Sequence, residues 1–497
     1  MIWSEHFFAM HWTAAFRMFS GDATPSSRFA HHFAAGAPRL QLATGKRHNL
    51  RFLTSTVALV GLAFFASGCV GPDHAERTAN ERLRSVGAIL HPASRAPELP
   101  VLTTGSSLPD YLRFALLNHP AVETAYETWQ SSVFAIAPAR ALPDPQLTFQ
   151  ADIASAVTSL MPGFMFDLMA RGKREAMGRE AEAASEIAYR QYVSAVLETA
   201  AAVKKSWIDL TALEETLLLK RQMAELKDEA VQFSHADHVT MHAMGSLDQM
   251  TALLNDAGRL RLEIANLEDE RGALRTQFKT TLGLAREAPD PVWPSRFDAS
   301  TGPLPSDDAF WASAISANPR LAEMRSMVEM TVAQVAVEQK ARTPDFGAGL
   351  MADLKMNPVL WRPLAQVTLP IWREKISAAI ASARARNDAA VARLKAEELM
   401  VATDLARMTY MVREADRMVA YIDEIALPNL RQSSDTIAAA YGTGMTNFAM
   451  IPETRQMVLA MQVERVAALR EREKTLADLS LLVAGEAPAG APLPDKP

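Results

Sequence analysis

The chain has 497 residues, a single cysteine, a formal net charge of −6 and 49% hydrophobic residues. One cysteine excludes an intrachain disulfide framework, a cysteine-rich zinc site and a CxxC redox pair, and mild acidity argues against a nucleic-acid binder, which would carry a basic patch. Only 22 glycines, with abundant alanine, point to long helices, and no run reaches the roughly 18 to 20 apolar residues of a spanning helix.

The longest apolar run is Phe52 to Ala66, preceded by Lys46, Arg47 and Arg51. A basic flank before roughly 14 mostly apolar residues is a signal-peptide pattern, too short to span a bilayer. It ends in Ala66-Ser67-Gly68-Cys69, which resembles a bacterial lipobox, where the cysteine thiol takes a diacylglycerol and becomes the new N-terminus. Cys69 is therefore the expected lipidation site, the covalent lipid being the only non-protein group expected. The residue after it is Val70, not the aspartate that resembles an inner-membrane retention signal. Residues 1–45 take no part in this signal. The expected reading of 1–68 is a non-native upstream extension plus signal peptide. Its removal takes away six Lys/Arg and two Asp/Glu, and shifts the net charge from −6 to −10.

The remainder is written twice. Ala115-Leu116-Leu117-Asn118-His119-Pro120 parallels Ala314-Ile315-Ser316-Ala317-Asn318-Pro319. Pro120 and Pro319, Pro145 and Pro344, and Gly245 and Gly444 share an offset of 199. The expected organisation is a first repeat over 69–286, a linker over 287–306, a second repeat over 307–485, and a polar tail over 486–497.

In each repeat a short helix precedes the Asn-Pro or His-Pro turn, a longer one follows, and a proline then opens extended structure. Gln146 to Ile153 alternates strictly, with Leu147, Phe149, Ala151 and Ile153 on one face. Phe164 to Leu168 alternates again, completing a hairpin over about 145–169. A second hairpin, over about 344–371, combines Phe346 to Leu354 with Ala365 to Ile371. These four strands have the length and pattern of transmembrane-barrel strands.

The chain then turns helical. No proline lies between Gly163 and Pro289, and no glycine between Leu350 and Tyr441. Lys173 to Met241 predicts a helix of roughly 100 Å, a length that calls for coiled-coil-like packing. Glycine turns at 242–248 and 441–447 reverse the chain into return helices, Gln249 to Leu282 and Phe448 to Leu482. Two hairpins cannot close a barrel alone, and open strand edges in lipid leave backbone groups unsatisfied. Three chains supply a closed twelve-strand barrel. The fold class is thus mainly α with a small β part: an internally duplicated coiled-coil barrel plus four strands of a trimeric β-barrel.

With the Cys69 lipobox, the duplicated Asn-Pro turns, Leu142-Pro143-Asp144-Pro145, Val367-Thr368-Leu369-Pro370-Ile371-Trp372 and Ala440-Tyr441-Gly442-Thr443-Gly444 in order, the sequence resembles the TolC family of outer-membrane efflux proteins, in its lipoprotein branch. The resemblance spans residues 69–485. It implies a homotrimeric channel in the outer membrane of a Gram-negative bacterium, lipid-anchored and extending into the periplasm. It implies as partners a periplasmic adaptor protein and an inner-membrane transporter, with outer-membrane lipid around the barrel, no nucleic acid and no chemistry of its own.

At the tips, Gly245 and Gly444 permit a reversal at φ > 0, and the resemblance places Gly245, Asp248, Tyr441, Gly442 and Gly444 at the periplasmic entrance. Two readings of Asp248 stand together: a carboxylate ring in the trimer and a helix N-cap. His242 stands where the second half has Tyr441. His235, His238 and His242 share one helical face beside Met241 and Met244. Imidazole and thioether ligands suit copper, silver or zinc; the alternative is a solvated helix face. With 24 methionines, most of them gap-fillers in helix packing, this makes heavy-metal cations the leading cargo, against drugs or small molecules, or a type I secretion role. Trp361 and Trp372 suit either an interfacial girdle or a core. No catalytic motif is assembled. A periplasmic coiled-coil adaptor or scaffold is the reading from another class, and it lacks the paired hairpins.

Overall fold

The structure, a computed structural model, describes residues 73–92, 97–103, 105–153, 157–170, 172–241, 246–294, 306–445, 450–483 and 491–493; within these, the side chains of 157, 234–241, 246, 247 and 249 are outside the description. Two halves follow one plan. In the first, α1 (His74–Leu90), α2 (Leu108–Asn118), α3 (Pro120–Phe134) and α4 (Ile136–Arg140) lead to β1 (Gln146–Ile153) and β2 (Val157–Leu168), then α5 (Lys173–Met241) and α6 (Ser246–Thr281). In the second, α7 (Asp307–Ala317) and α8 (Pro319–Lys340) lead to β3 (Asp345–Asp353) and β4 (Leu360–Thr368). There follow α9 (Arg373–Tyr421), a π turn (Ile422–Ala426), α10 (Leu427–Gly442) and α11 (Met450–Val483).

The turns before α3 and α8 show how the two halves solve one problem differently. Proline at the first helical position lacks only an N–H that a helix leaves unpaired anyway, so Pro120 and Pro319 start their helices. In the second half Asn318, 1% exposed, does two jobs. Its Oδ1 accepts from the Leu321 N–H at 3.1 Å, and its Nδ2 donates to the Leu482 carbonyl at 2.9 Å. In the first half these roles are divided. His119 Nδ1 accepts from the Ala121 N–H at 3.2 Å, and Asn118 Nδ2 donates to the Leu282 carbonyl at 2.9 Å. Burial pushes the His119 imidazole below its ordinary pKa, which keeps Nδ1 free to accept.

The first half holds the larger core. Tyr111, Trp129, Tyr192 and Phe278 are fully buried where α1, α2, α3, α5 and α6 converge. Tyr111 meets Trp207 edge-on at 5.0 Å, and Trp129 stacks on Tyr192 at 5.5 Å, the offset and edge geometries that aromatic quadrupoles favour. Gly283, at φ 75°, ends α6 in a reversal in which the Leu284 N–H bonds to the Lys279 carbonyl and the Gly283 N–H to the Thr280 carbonyl. A Cβ there would also fall 2.6 Å from the Asn118 carbonyl oxygen. The tail is not purely a polar appendage. Ala491 and Leu493 pack against this core, and the Tyr192 hydroxyl donates to the Pro492 carbonyl.

The expected elements need three adjustments. The two hairpins join into one antiparallel sheet of order β1-β2-β3-β4, because β2 pairs with β3. β2 and β4 begin several residues earlier than the alternation predicts, and β4 ends at Thr368 rather than near Ile371. The second long helix is not continuous: Pro428 follows a π turn.

Replacing Asn318 by alanine removes a cap, worth about 1 kcal/mol, and strips the Leu482 carbonyl of its partner, worth roughly 1 to 3 kcal/mol more. His119→Ala removes only a cap. Thermal unfolding followed by circular dichroism is expected to show the larger loss for Asn318→Ala; equal losses would contradict the division of roles. The His119 contribution is present above the ordinary histidine pKa of about 6.5 and fades as pH falls below it, because protonation occupies Nδ1. Stability of the Asn318→Ala variant therefore drops further on acidification than that of His119→Ala.

Candidate functional site: a two-faced sheet and a helical mouth

Strand pairing sorts the sheet residues into two faces. Leu147, Phe149 and Ala151 of β1 stand opposite Phe164, Pro162 and Leu160 of β2. Phe164, Phe166 and Leu168 stand opposite Leu350, Ala348 and Phe346 of β3. These pair in turn with Pro363, Ala365 and Val367 of β4, and Ala352 pairs with Trp361. Every residue on this face is apolar. It is also exposed: Phe149 is 69% accessible, and Phe164, Phe346 and Trp361 half or more. Neither tryptophan belongs to a core, Trp361 lying on this face and Trp372 at the N-cap of α9.

The opposite face carries Gln146, Thr148, Gln150 and Asp152 on β1, and Asp167, Asp345, Asp353, Arg362, Gln366 and Thr368 on the others. Ser159 Oγ donates to Asp152 at 2.8 Å, Gln146 Nε2 donates to Asp167 at 3.2 Å, and Arg362 lies 3.6 Å from Asp353. Met351 folds over Gly163 and Met165 over Gly349, in space that a Cβ would fill. β1 and β4 each have one neighbour, so the sheet ends in two rows of backbone groups without a strand partner among the described residues.

The passage from sheet to helix is stapled across the repeats. Asp345, at the start of β3, accepts from the Ala170 N–H at 3.0 Å and from Lys173 Nζ at 2.6 Å, where β2 gives way to α5. Below it the helices pair by charge: Lys220 with Glu263 at 2.8 Å and Arg261 with Asp228 at 2.6 Å join α5 to α6. Arg472 with Asp416 at 2.5 Å joins α9 to α11. Asp209 of α5 takes both Arg470 and Lys474 of α11, at 2.7 and 3.1 Å, and so ties the two hairpins together.

The helical tips are partly described. Gly442 ends α10, and Gly444, at φ 73°, makes the reversal. The Met445 N–H bonds to the Ala440 carbonyl at 2.9 Å, and the Gly444 N–H to the Tyr441 carbonyl at 3.0 Å, a Schellman closure. Tyr441 is exposed. Asp248 is exposed and sits in the first turn of α6, not at its N-cap, where its charge opposes the helix dipole favourably. His242 and Gly245 lie outside the described residues, as do Cys69 and the side chains of His235 and His238. Among the described residues no group of three His, Cys, Asp or Glu is arranged to hold a metal ion, and no helix is long and apolar enough to cross a membrane.

Sequence patterns missed α1, which is held to α4 by Glu76 with Arg140 at 2.6 Å and to α5 by Arg82 with Glu186 at 3.2 Å. Its N-terminal residue Asp73 shares a small cavity with Glu175, Gly178 and Arg179 at the top of α5, directly beneath the sheet.

No curated relative matches the chain by sequence. Solved structures match its fold. The outer-membrane channel OprN superposes with a TM-score of 0.65 at 14% identity, over 79% of this chain and 98% of that one. CusC, described for its transmembrane channel formation, gives 0.63 at 14% identity, over 79% and 99%. The open state of the Neisseria gonorrhoeae MtrE outer membrane channel gives 0.63 at 14% identity, over 80% and 98%. The family model described as outer membrane efflux protein matches residues 311–485. That stretch carries α8, the β3–β4 hairpin and the whole second helical arm, so that part of the chain is similar to outer membrane efflux proteins, and the fold as a whole is that of the outer-membrane channels it superposes on.

Proposed function

We propose that three copies of this chain close a twelve-strand barrel in the outer membrane, continued in the periplasm by a hollow helical barrel, as a passive conduit for efflux. The observation that carries this reading is the sheet: one face apolar and largely exposed, the other bearing the strands' charged and amide side chains, and both edges open among the described residues. In hydrocarbon each unpaired backbone group costs several kcal/mol, and among the described residues a monomer has no strand to cover them. Partners of the conduit are a periplasmic adaptor and an inner-membrane transporter. Acylation of Cys69 supplies an anchor. Heavy-metal cations are the leading cargo, on the histidines at 235, 238 and 242 near the mouth.

Planar bilayers with the purified protein are expected to show stepwise conductance; a protein that inserts and conducts nothing would refute the channel. Phe149→Arg places a charge in lipid at roughly 2 to 4 kcal/mol and is expected to deplete the protein from outer-membrane fractions, whereas Thr148→Arg, on the polar face, leaves its level unchanged. Palmitate labelling is expected in the parent and absent in Cys69→Ser. Replacing His235, His238 and His242 by alanine is expected to lower copper or silver resistance of the host; unaltered resistance would move the cargo to drugs or other small molecules.

A further inference from the structure

Two helices that join the sheet leave a cavity beneath it. α5 begins at Lys173, just after β2, and α8 ends at Lys340, just before β3, so the pair runs antiparallel with its upper end at the sheet. Gln191 of α5 donates to Glu323 of α8 at 2.8 Å. These two residues are nearly equally far from the upper ends of their helices, so positions at equal depth lie level. Where α1 lies against the pair, a cavity of about 610 Å³ remains, walled in part by alanines from all three helices.

The lining is ordered by depth. At a helical rise of about 1.5 Å per residue, Ala176 and Ala336 lie roughly 5 Å below the helix ends, Arg179 roughly 9 Å, and Glu182 and Glu329 roughly 14 to 16 Å. An apolar wall, a cation and two carboxylates thus follow one another away from the sheet. The other charged groups on the wall are Arg82 and Glu186, which hold each other at 3.2 Å, and His74 on the α1 side. Arg179, Glu182 and Glu329 have no ion-pair partner among the described residues; Arg179 spends only its Nε, on the Glu175 carbonyl at 3.4 Å. Burial raises the Glu182 carboxyl above its ordinary pKa, and the Asp73 carboxylate adds to this. With the apolar face of the sheet in lipid, head groups occupy about 5 to 8 Å beyond the hydrocarbon, which is the level of the cavity's upper end.

From this order we propose that the cavity takes the zwitterionic head group of a phosphatidylethanolamine from the leaflet on the helical side, its phosphate on Arg179 and its ammonium between Glu182 and Glu329. Descending from the bilayer, such a lipid presents acyl chains, then phosphate, then ammonium, the sequence in which the cavity offers alanines, guanidinium and carboxylates. Guanidinium and phosphate match through paired N–H donors, and a primary ammonium donates to carboxylates. A choline head group has no N–H to give, and a glycerol head group has no positive charge. The site rests on the channel reading only for the level of the membrane.

The test is lipid retention by the full-length protein, purified in detergent and exchanged into mixed micelles of phosphatidylethanolamine, phosphatidylglycerol or phosphatidylcholine, with bound lipid counted by native mass spectrometry. Phosphatidylethanolamine is expected to be retained at least several-fold better than the other two. Glu182→Gln is expected to erase that preference, and Arg179→Gln to weaken retention of all three lipids. Glu225→Gln, on the same helix but far below the cavity, is expected to change nothing. Equal retention of the three lipids, or a preference that survives Glu182→Gln, would overturn the site. Water-soluble glycerophosphoethanolamine is expected to compete poorly; competition as strong as the lipid's would overturn a membrane source for the occupant. A protein that shows the preference and conducts nothing in planar bilayers would overturn the channel reading and leave the site standing, whereas conductance without the preference does the reverse.

Discussion

A backbone hydrogen bond that cannot be made to water must be made to protein, and the sheet is where this constraint falls hardest. Four antiparallel strands satisfy one another internally, but the outer sides of β1 and β4 do not, and a face of phenylalanine, leucine, proline and tryptophan surrounds them. In water such an edge invites aggregation; in lipid it is intolerable unless closed. The apolar face and the open edges therefore demand the same remedy, a ring of strands contributed by more than one chain. The joint at Asp345, Ala170 and Lys173 then matters because it fixes the angle at which each helical arm leaves that ring.

The halves share a plan and divide the work unequally. The first half buries an aromatic core, reinforced by α1 and by the tail residues 491–493. The second has only small clusters, around Ala314, Leu321, Val401 and Leu482, and around Phe310, Leu405 and Leu479. Its long helix α9 leaves Leu399 72% exposed and Tyr410 and Met418 about half exposed. Apolar side chains on a helix face without a neighbour are the residue of an interface seen from one side, and in a closed ring each α9 gains the cover that the single chain does not provide.

Reading the sequence went furthest where one local signal governed the outcome. β1 follows from strict alternation over Gln146–Ile153, α5 from 69 residues without proline, and the turns at Pro120 and Pro319 from the fixed φ of proline. It fell short where local signals conflicted. Val157–Gly163 includes Pro162, and Leu360–Leu364 includes Pro363, which interrupt the local pattern; pairing with the neighbouring strand carries the strands through both. Among the described residues α1 has no counterpart in the second half, so the repeat could not announce it. The tail looks polar by composition, and its docking depends on Tyr192, three hundred residues away. Pro428 was visible in the letters, but only the structure reveals that a π turn absorbs it without ending the helix. The offset of 199 was itself incomplete: Asn118 and Asn318, and Leu282 and Leu482, are 200 apart, because the two halves assign the carbonyl contact to different members of the turn.

That displacement shows how a duplicated chain diversifies. When one asparagine both caps a helix and holds a distant carbonyl, neither function can change without the other; when a neighbouring asparagine and histidine share them, each is released to vary. The helical arms have diverged in the same sense. An arm that must bear the core, the helix α1 and most of the cross-hairpin ion pairs gains from being continuous, and α5 is. The other arm accepts a proline where the widened turn is braced against α11 by the Asp423–Arg465 pair and where Ile422 and Leu427 are buried. The proline is tolerated where it is because the π turn absorbs its missing N–H without ending the helix.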